Sequence, residues 1–198
     1  MSLHRLPPGQ EWIAEPIAYD VGTVTSVRLE DYRLRLSGEV QEVVDLGWEE
    51  IQRFPHVRVR RDFHCVTAWS VRGIVWDGVP TRALLERAPI ERGVRWVLAR
   101  SRDEYSTSIP IDAFTRRDSL LADRMNGKPV TTEHGAPARL VVPSLYAWKS
   151  AKYVEEREFL SVRRPGFWEE RGYHDRGDPW REERFRSAPA AVKEGGSG

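Results

Sequence analysis

Short runs in which apolar and charged residues alternate are the feature that most restricts the fold of this chain. They occur in RLRLSGEV, residues 33–40, and in HVRVRRDF, residues 56–63. A period of two places the apolar side chains on one face of a β-strand and the charged ones on the other. The pattern predicts strands with one solvated face, and Arg33 and Arg35 are expected on that face.

Other strand-like runs are separated by short helical patterns, without the regular strand and helix alternation of a doubly wound sheet. TRALLERA after Pro80 predicts a short helix begun by a proline. RDSLLADRMNG, residues 117–127, predicts a second helix with Asp118 as its N-cap and a glycine at its end. The predicted fold class is α+β, with mixed sheets and short helices. Further strands are predicted at VRWVLA (94–99), YSTSIPI (105–111), RLVVPSLY (139–146) and KYVEEREFLSV (152–162).

The length of 198 residues fits one domain with extensions. Residues 1–14 are rich in proline, glycine and polar types and predict an amino-terminal arm that lies on the core. Residues 15–185 are predicted to form the domain. Residues 186–198, which end in GGSG, have little to bury and are predicted to be a disordered tail.

The charge balance argues against a general attraction to nucleic acid or to an anionic membrane. There are 31 basic and 30 acidic residues, a net charge of +1. No apolar run approaches the roughly 20 residues needed to cross a bilayer, and the first twenty residues lack the pattern of a secretory signal. We therefore expect a cytoplasmic protein that binds neither nucleic acid nor membrane.

Cys65 is the only cysteine, so it has no internal disulfide partner. It lies in DFHCVTAWS, just beyond the end of a predicted strand, where functional loops are common. A nucleophilic thiolate would need a base, for which His134 and His174 are candidates once the chain is folded. The adjacent His64 is a poor candidate because neighbouring strand residues point to opposite faces. A zinc site would need more Cys or His ligands at recognisable spacing. A single thiolate ligand to a metal held by an organic cofactor, and an inert buried thiol, both remain open.

Two downstream segments bear on that choice. HGAPARLVVPSLYAWKSAKYV, residues 134–154, groups a histidine, an arginine and two lysines around a predicted strand, and GFWEERGYHDRGDPW, residues 166–180, is dense in aromatic and charged residues. Together with DFHCVTAWS they resemble the sulfite-oxidase-like family of molybdopterin-dependent oxidoreductases, in particular its short single-domain bacterial members. The resemblance extends from about residue 15 to residue 185.

The resemblance implies a sulfite-oxidase-like molybdopterin-binding fold and a molybdenum cofactor whose metal is bound by the thiolate of Cys65. It implies contacts to the pterin and its phosphate from one set of residues: His134, Arg139, Ser150, Ala151 and Lys152. A polar residue on a following strand, Ser101, is the candidate for a further cofactor contact. Arg72, after the cysteine loop, is the candidate to hold an oxyanion substrate.

The chain departs from the larger sulfite oxidases in having room for neither a haem domain nor a dimerisation domain. The resemblance therefore implies an external electron-transfer partner, and a monomer is the simplest expectation. It has Ala68 where many relatives have glycine. The amino-terminal cofactor segment of those enzymes often includes an asparagine, whereas the corresponding residues 16–24 read PIAYDVGTV, in which Tyr19 to Val21 are the candidates for cofactor contacts.

The implied function is oxygen-atom transfer on a small sulfur oxyanion or a sulfoxide-like substrate. The alternatives are a molybdopterin-binding carrier without catalysis and a cysteine hydrolase without metal.

Overall fold

The computed structural model describes residues 5–24 and 26–186 and contains two β-sheets with short helices between the strands. This confirms the predicted α+β class with mixed sheets. The strands are Glu11–Ile13 (β1), Arg33–Gly38 (β2), Val44–Gly47 (β3), Val57–His64 (β4), Trp69–Pro80 (β5), Trp96–Ser101 (β6), Ser106–Pro110 (β7), Leu120–Met125 (β8), Lys128–Pro129 (β9), Arg139–Val141 (β10) and Val154–Leu160 (β11). The α-helices are Trp48–Gln52 (α1), Ile111–Phe114 (α2) and Phe167–Glu170 (α3), and 3-10 turns occupy Thr81–Glu86, Thr132–His134, Ala147–Lys149 and Pro179–Arg181.

The first sheet is organised around the long strand β5, which pairs with β4, β1 and β8; β8 also pairs with β10 and β9. β4 runs antiparallel to β5 and ends at His64, so the turn between these two strands carries Cys65. The predicted position of Cys65 beyond a strand end is confirmed. Phe63, Cys65, Trp69 and Trp76 are buried together in the smaller of the two hydrophobic clusters of the described residues.

The second sheet has the order β3, β2, β11, β6, β7, and the larger hydrophobic cluster packs against it. β11 pairs in parallel with β2 and antiparallel with β6. The predicted alternation of β2 is present: Leu34 and Leu36 are fully buried, whereas Arg33 and Arg35 are exposed.

The prediction of a helix at residues 117–127 is wrong, because most of this segment is strand β8. Leu120, Leu121 and Ala122 are buried between β5 and β10, and a continuous buried run suits a central strand. The terminal Asn126 and Gly127 do not end a helix. They have φ angles of 51° and 78° and form the turn of the β8–β9 hairpin, for which an Asn-Gly pair is the usual choice. The helix predicted after Pro80 is present as the 3-10 turn Thr81–Glu86.

The amino-terminal arm contributes a strand to the first sheet, because β1 pairs in parallel with residues 69–71 of β5. The predicted tail falls outside the described residues except for its first residue, Arg186. No helix in the described ranges is long and apolar enough to cross a membrane.

Candidate functional site

The turn that follows β4 holds the side chain of Cys65 at the edge of the first sheet. Cys65 is a free thiol, only 6% exposed, and its Sγ accepts a hydrogen bond from Thr67 Oγ1 at 3.2 Å. Its backbone N–H donates to the carbonyl of Trp69 at 2.8 Å, which closes the turn. Ala68 has a φ of 73°, the left-handed region that favours glycine, so this chain accepts local strain where many relatives are expected to carry glycine.

Cys65 lines a cavity of about 450 Å³ that lies between the first sheet, the segment from residue 134 to 152, and the segment Pro16–Val21. The cavity contains six of the eight predicted site residues, although they lie up to 87 positions apart in the chain. These six are Cys65, His134, Arg139, Ser150, Ala151 and Lys152. Tyr19 to Val21, the candidates for further cofactor contacts, also line the cavity.

Arg139 is the buried cation of the cavity. Its Nη1 donates to the carbonyl of His134 at 3.0 Å and its Nη2 to the carbonyl of Ser150 at 3.0 Å. Its guanidinium also packs over the rings of Phe63 and Trp76, at 5.6 and 5.2 Å from their centroids. Burial lowers the pKa of Arg139 to about 10, so it remains charged at neutral pH.

His134 reaches the cavity because the chain turns sharply at Gly135. Gly135 has a φ of 108°, and a Cβ there would lie 2.9 Å from the Cβ of Lys152 and 3.1 Å from that of Arg139. His134 Nδ1 lies 3.0 Å from the hydroxyl of Thr131. Burial, and next the charge of Arg139, lower the pKa of His134, so the imidazole is neutral at pH 7.

Lys152 is the second cation of the cavity, and an acid from the opposite wall neutralises it. Its Nζ forms an ion pair with Asp20 and donates to the carbonyl of Glu133 at 3.0 Å. The hydroxyl of Tyr153 donates to the same Asp20 oxygen at 3.2 Å. Asp20 thus ties the segment Pro16–Val21 to the Lys152 side of the cavity.

Ala151 contributes through its backbone carbonyl, and Ser150 through its backbone carbonyl and its hydroxyl. The carbonyl of Ala151 accepts from the N–H of Leu140 at 2.8 Å, and the hydroxyl of Ser150 accepts from the N–H of Val142 at 2.9 Å. These bonds hold the Ser150 to Lys152 stretch against β10, which carries Arg139.

The structure does not bring the other two predicted residues, Arg72 and Ser101, into the cavity. Arg72 is exposed on β5 and its guanidinium lies 4.7 Å from the ring centroid of Trp12, so it is not placed to hold a substrate there. Ser101 ends β6, and its side-chain oxygen is buried away from the cavity without a hydrogen-bond partner among the described residues. Neither residue belonged to a motif of the resemblance, and strand register alone directs both side chains elsewhere.

Several cavity residues were not predicted from the sequence. Asp103 follows β6 and is 4% exposed, and burial raises the pKa of its carboxyl. Most of the others outside residues 16–21 are aromatic, a class that in sequence is more typical of a core than of a site. These aromatic residues are Phe63, Trp69, Tyr105, Trp148, Trp168 and Tyr173, and the non-aromatic ones are Val66, Thr67 and Ala147.

Lys149, inside the motif, has a structural role. It is fully buried, its Nζ forms an ion pair with the buried carboxylate of Glu169, and it donates to the carbonyls of Ser108 and Asp175 at 2.6 and 2.7 Å. This interaction anchors α3 and the aromatic segment that supplies Trp168 and Tyr173 to the cavity.

Cys65 is poorly placed to act as a free nucleophile. Burial raises the pKa of its thiol. The ring of His64 is engaged elsewhere, with Nδ1 at 2.8 Å from the hydroxyl of Ser70. Among the described residues there is no group of three or more His, Cys, Asp or Glu side chains that could hold a metal ion.

The cavity residues fit a phosphate-bearing organic group that brings its own metal ligands. The wall offers one thiol, two cations and a neutral imidazole. Three further buried donors lack a partner among the described residues: the indole N–H groups of Trp69 and Trp148, and Nε of Arg139. Buried donors without acceptors are costly, so a ligand with several acceptor atoms suits this wall.

Comparisons with known proteins agree with this geometry. Residues 21–168 match the family model described as the oxidoreductase molybdopterin binding domain. The chain is 38% identical over 182 residues to the uncharacterized oxidoreductase YuiH of Bacillus subtilis, covering 91% of this chain and 92% of that protein. It is 29% identical over 167 residues to the protein-methionine-sulfoxide reductase catalytic subunit MsrP of Campylobacter jejuni, covering 75% of this chain and 56% of that protein.

Among solved structures, the sulfane dehydrogenase SoxCD of Paracoccus pantotrophus matches with a TM-score of 0.64 and 25% identity, over 70% of this chain and 40% of that one. The chain thus spans nearly all of YuiH but only about half of MsrP and less of SoxCD. The family model alone covers most of the chain, including Cys65 and the segment from His134 to Lys152. The chain therefore belongs to the molybdopterin-binding oxidoreductase family, with the sulfite-oxidase-like fold that its motifs predicted.

Proposed function

We propose that this protein catalyses oxygen-atom transfer at a sulfur centre, with Cys65 as the one protein ligand to the metal of a bound molybdenum cofactor. The observation that carries the proposal is the placement of one thiol in a cavity together with Arg139 of the HGxPxRL segment and Lys152 of the KSxK segment. When bound, molybdopterin supplies a metal that accepts or gives an oxygen atom and two electrons.

The protein residues bind and orient in this proposal. Arg139 and Lys152 offset the charge of the cofactor phosphate, and the neutral ring of His134 hydrogen-bonds the pterin edge. The aromatic wall formed by Trp148, Trp168 and Tyr173 restricts water. Burial, and next the charge of Cys65, raise the pKa of Tyr173, so its hydroxyl stays protonated at neutral pH and can donate to a substrate oxygen.

The charges of the cavity favour a neutral sulfoxide over an anionic sulfur oxyanion such as sulfite. Arg139 and Lys152 are the two Arg or Lys side chains among the described lining residues, and the carboxylates of Asp20 and Asp103 line the same cavity. The two carboxylates offset part of the positive charge of Arg139 and Lys152, and a bound cofactor phosphate would offset the rest. The cavity is otherwise mainly aromatic and aliphatic, which suits an uncharged thioether or sulfoxide.

The reduction of a sulfoxide follows R₂SO + 2H⁺ + 2e⁻ → R₂S + H₂O, so the protein needs an electron donor for this reaction. MsrP is named a catalytic subunit, which implies a further component in that system. We propose an external electron-transfer partner for this chain as well. The cytoplasmic location and the monomeric state stay predictions.

The test begins with protein made in a host supplied with molybdate. Molybdenum is measured by elemental analysis and pterin by fluorescence after oxidation, and one of each per chain is expected. The loaded protein is then assayed with reduced viologen and methyl phenyl sulfoxide, and separately with sulfite and ferricyanide. We expect sulfoxide reduction to exceed sulfite oxidation. Protein that carries no molybdenum but has an alkylation-sensitive hydrolase activity would reject the proposal, and loaded protein without turnover on either substrate would favour the carrier.

A further inference from the structure

The turn that carries Cys65 is held by residues from the two ends of the described chain. The carbonyl of Cys65 accepts a hydrogen bond from Nε2 of Gln10 at 2.9 Å. The carbonyl of the next residue, Val66, accepts from Nη1 of Arg184. Both donors lie outside residues 21–168, the part that matches the family model.

Gln10 is fixed in one orientation. It is 7% exposed, and its Oε1 accepts from the hydroxyl of Ser70 at 3.0 Å. Ser70 is in turn 2.8 Å from Nδ1 of His64. This chain of hydrogen bonds determines which end of the Gln10 amide faces Cys65, so the donor is directed at the Cys65 carbonyl.

Arg184 connects the same turn to the amino-terminal arm. Its Nη2 lies 3.4 and 3.3 Å from the carbonyls of Pro8 and Gly9, and its guanidinium lies 5.4 Å from the ring centroid of Tyr146. Within the described residues, these side-chain contacts of Arg184 are to carbonyls and a ring, so this cation restrains main-chain positions. The arm that carries Gln10 and the segment that carries Arg184 therefore hold the turn together.

We infer that Gln10 and Arg184 are positioning residues that set the side-chain torsion of Cys65 toward the metal. The inference rests on the proposed function, in which Cys65 is the metal ligand. The turn has two hydrogen bonds of its own, from the N–H of Cys65 to the carbonyl of Trp69 and from the N–H of Ala68 to the carbonyl of Cys65. Gln10 and Arg184 add two more from outside the turn. The two hydrogen bonds restrain the Cys65–Val66 and Val66–Thr67 peptide planes, which are the two that follow the Cα of Cys65. Outer contacts of this kind orient a metal ligand.

The test uses Gln10→Glu, which keeps the shape and removes the amide donor, and Arg184→Met, which keeps the chain length and removes the guanidinium. The matched controls are Gln52→Glu, whose amide contacts Asp123 on the surface, and Arg186→Met, two residues beyond Arg184 and bonded to Asp175 and the carbonyl of Glu169. Arg184→Lys keeps the charge and one donor and serves if Arg184→Met does not fold.

Two measurements are made. In the loaded protein, paramagnetic resonance of the one-electron-reduced metal gives the hyperfine coupling to the β-protons of the cysteine ligand, which depends on the torsion of its side chain. In the cofactor-free protein, hydrogen exchange of the amides of Cys65 and Ala68 gives the rigidity of the turn without any metal. We expect altered β-proton couplings and about tenfold faster exchange in both test variants, and neither change in the controls.

Unchanged couplings and unchanged exchange in folded Gln10→Glu and Arg184 variants overturn the inference. A wild-type protein that binds no molybdenum overturns the proposed function instead, and it is recognised before any variant is compared. Changes of equal size in the two controls also overturn the inference, since they would reflect a general loss of stability.

Discussion

The ammonium of Lys152 is ion-paired with the carboxylate of Asp20, a residue 132 positions earlier on the facing wall of the cavity. Lys152 is mostly buried, with 12% of its side chain exposed, whereas Asp20 retains 36%. The lysine predicted to meet the cofactor phosphate is therefore already neutralised in the protein alone. An incoming phosphate must compete with Asp20 or share Lys152 with it.

Removing that competitor is expected to strengthen anion binding by the cofactor-free protein. Asp20→Asn keeps the size of the side chain and removes its charge, and an ion pair of this exposure contributes on the order of 1 kcal/mol. We expect inorganic pyrophosphate to bind about fivefold more tightly, measured by calorimetry. Asp31→Asn, which removes an exposed carboxylate paired with Arg28, is the control. Equal affinities in the three proteins would contradict a role for Asp20 at the anion site.

Replacing the proposed metal ligand is expected to separate chemistry from cofactor binding. Cys65→Ser removes the thiolate but leaves Arg139, Lys152 and His134 in place. We expect turnover to be lost while much of the pterin remains bound, as measured by pterin fluorescence and molybdenum content of the same preparation. Full activity in this variant would show that Cys65 is not the ligand.

A substitution at Gly135 tests whether the close packing of this residue against Lys152 and Arg139 is needed. In Gly135→Ala the new Cβ would lie 2.9 and 3.0 Å from Cβ and Cα of Lys152, in addition to the strain of a left-handed alanine. We expect about 1 to 3 kcal/mol more destabilisation than in Gly127→Ala, where φ is 78° and nothing lies within 4 Å of the new Cβ. Urea unfolding of both variants gives the comparison, and the cofactor content should fall only in the first. Equal losses of stability would mean that backbone strain alone matters.

The buried pair of Lys149 and Glu169 is expected to be important for stability. Lys149→Met leaves the Glu169 carboxylate buried without its cation, which costs about 3 to 5 kcal/mol. Arg176→Met removes an exposed partner of Asp112 and should cost less than about 1 kcal/mol. Chemical denaturation measures both. A loss below about 1 kcal/mol in Lys149→Met would indicate that the cavity segment rearranges to hydrate Glu169.

The hydroxyl of Tyr173 is expected to matter for chemistry rather than for binding. Tyr173→Phe removes a proton donor and leaves the ring that packs on Trp148 and Trp168, so we expect kcat to fall about 100-fold with little change in KM. Tyr19→Phe, at the exposed side of the same cavity, should retain most of the activity. Steady-state kinetics with a sulfoxide substrate distinguish these outcomes, and equal kcat values for Tyr173→Phe and wild type would exclude the proton donor.

The strands that alternate cleanly were predictable from local sequence. In residues 33–38 and 57–64, the alternation of apolar and charged residues can be recognised from each residue and its immediate neighbours. Residues 120–125 gave the wrong prediction because a buried strand has no alternation, and the flanking Asp118 and Asn126–Gly127 match helix ends as well as they match a turn and a hairpin. Burial between β5 and β10 is a tertiary property, and it decided between the two.

The sequence by itself determined the family and the six residues of the cavity that lie in its motifs, because a metal ligand and phosphate contacts require particular residue types in a recognisable order. It did not determine the placement of Arg72 and Ser101, the burial of Lys149 against Glu169, or the pairing of Lys152 with Asp20. The placement of Arg72 and Ser101 depends on strand register, and the two ion pairs depend on contacts between segments that are distant in the chain. The energies of these ion pairs arise only when folding removes the charged groups from water. The tertiary structure alone therefore decided how the cavity is charged and what holds the turn of Cys65 in place.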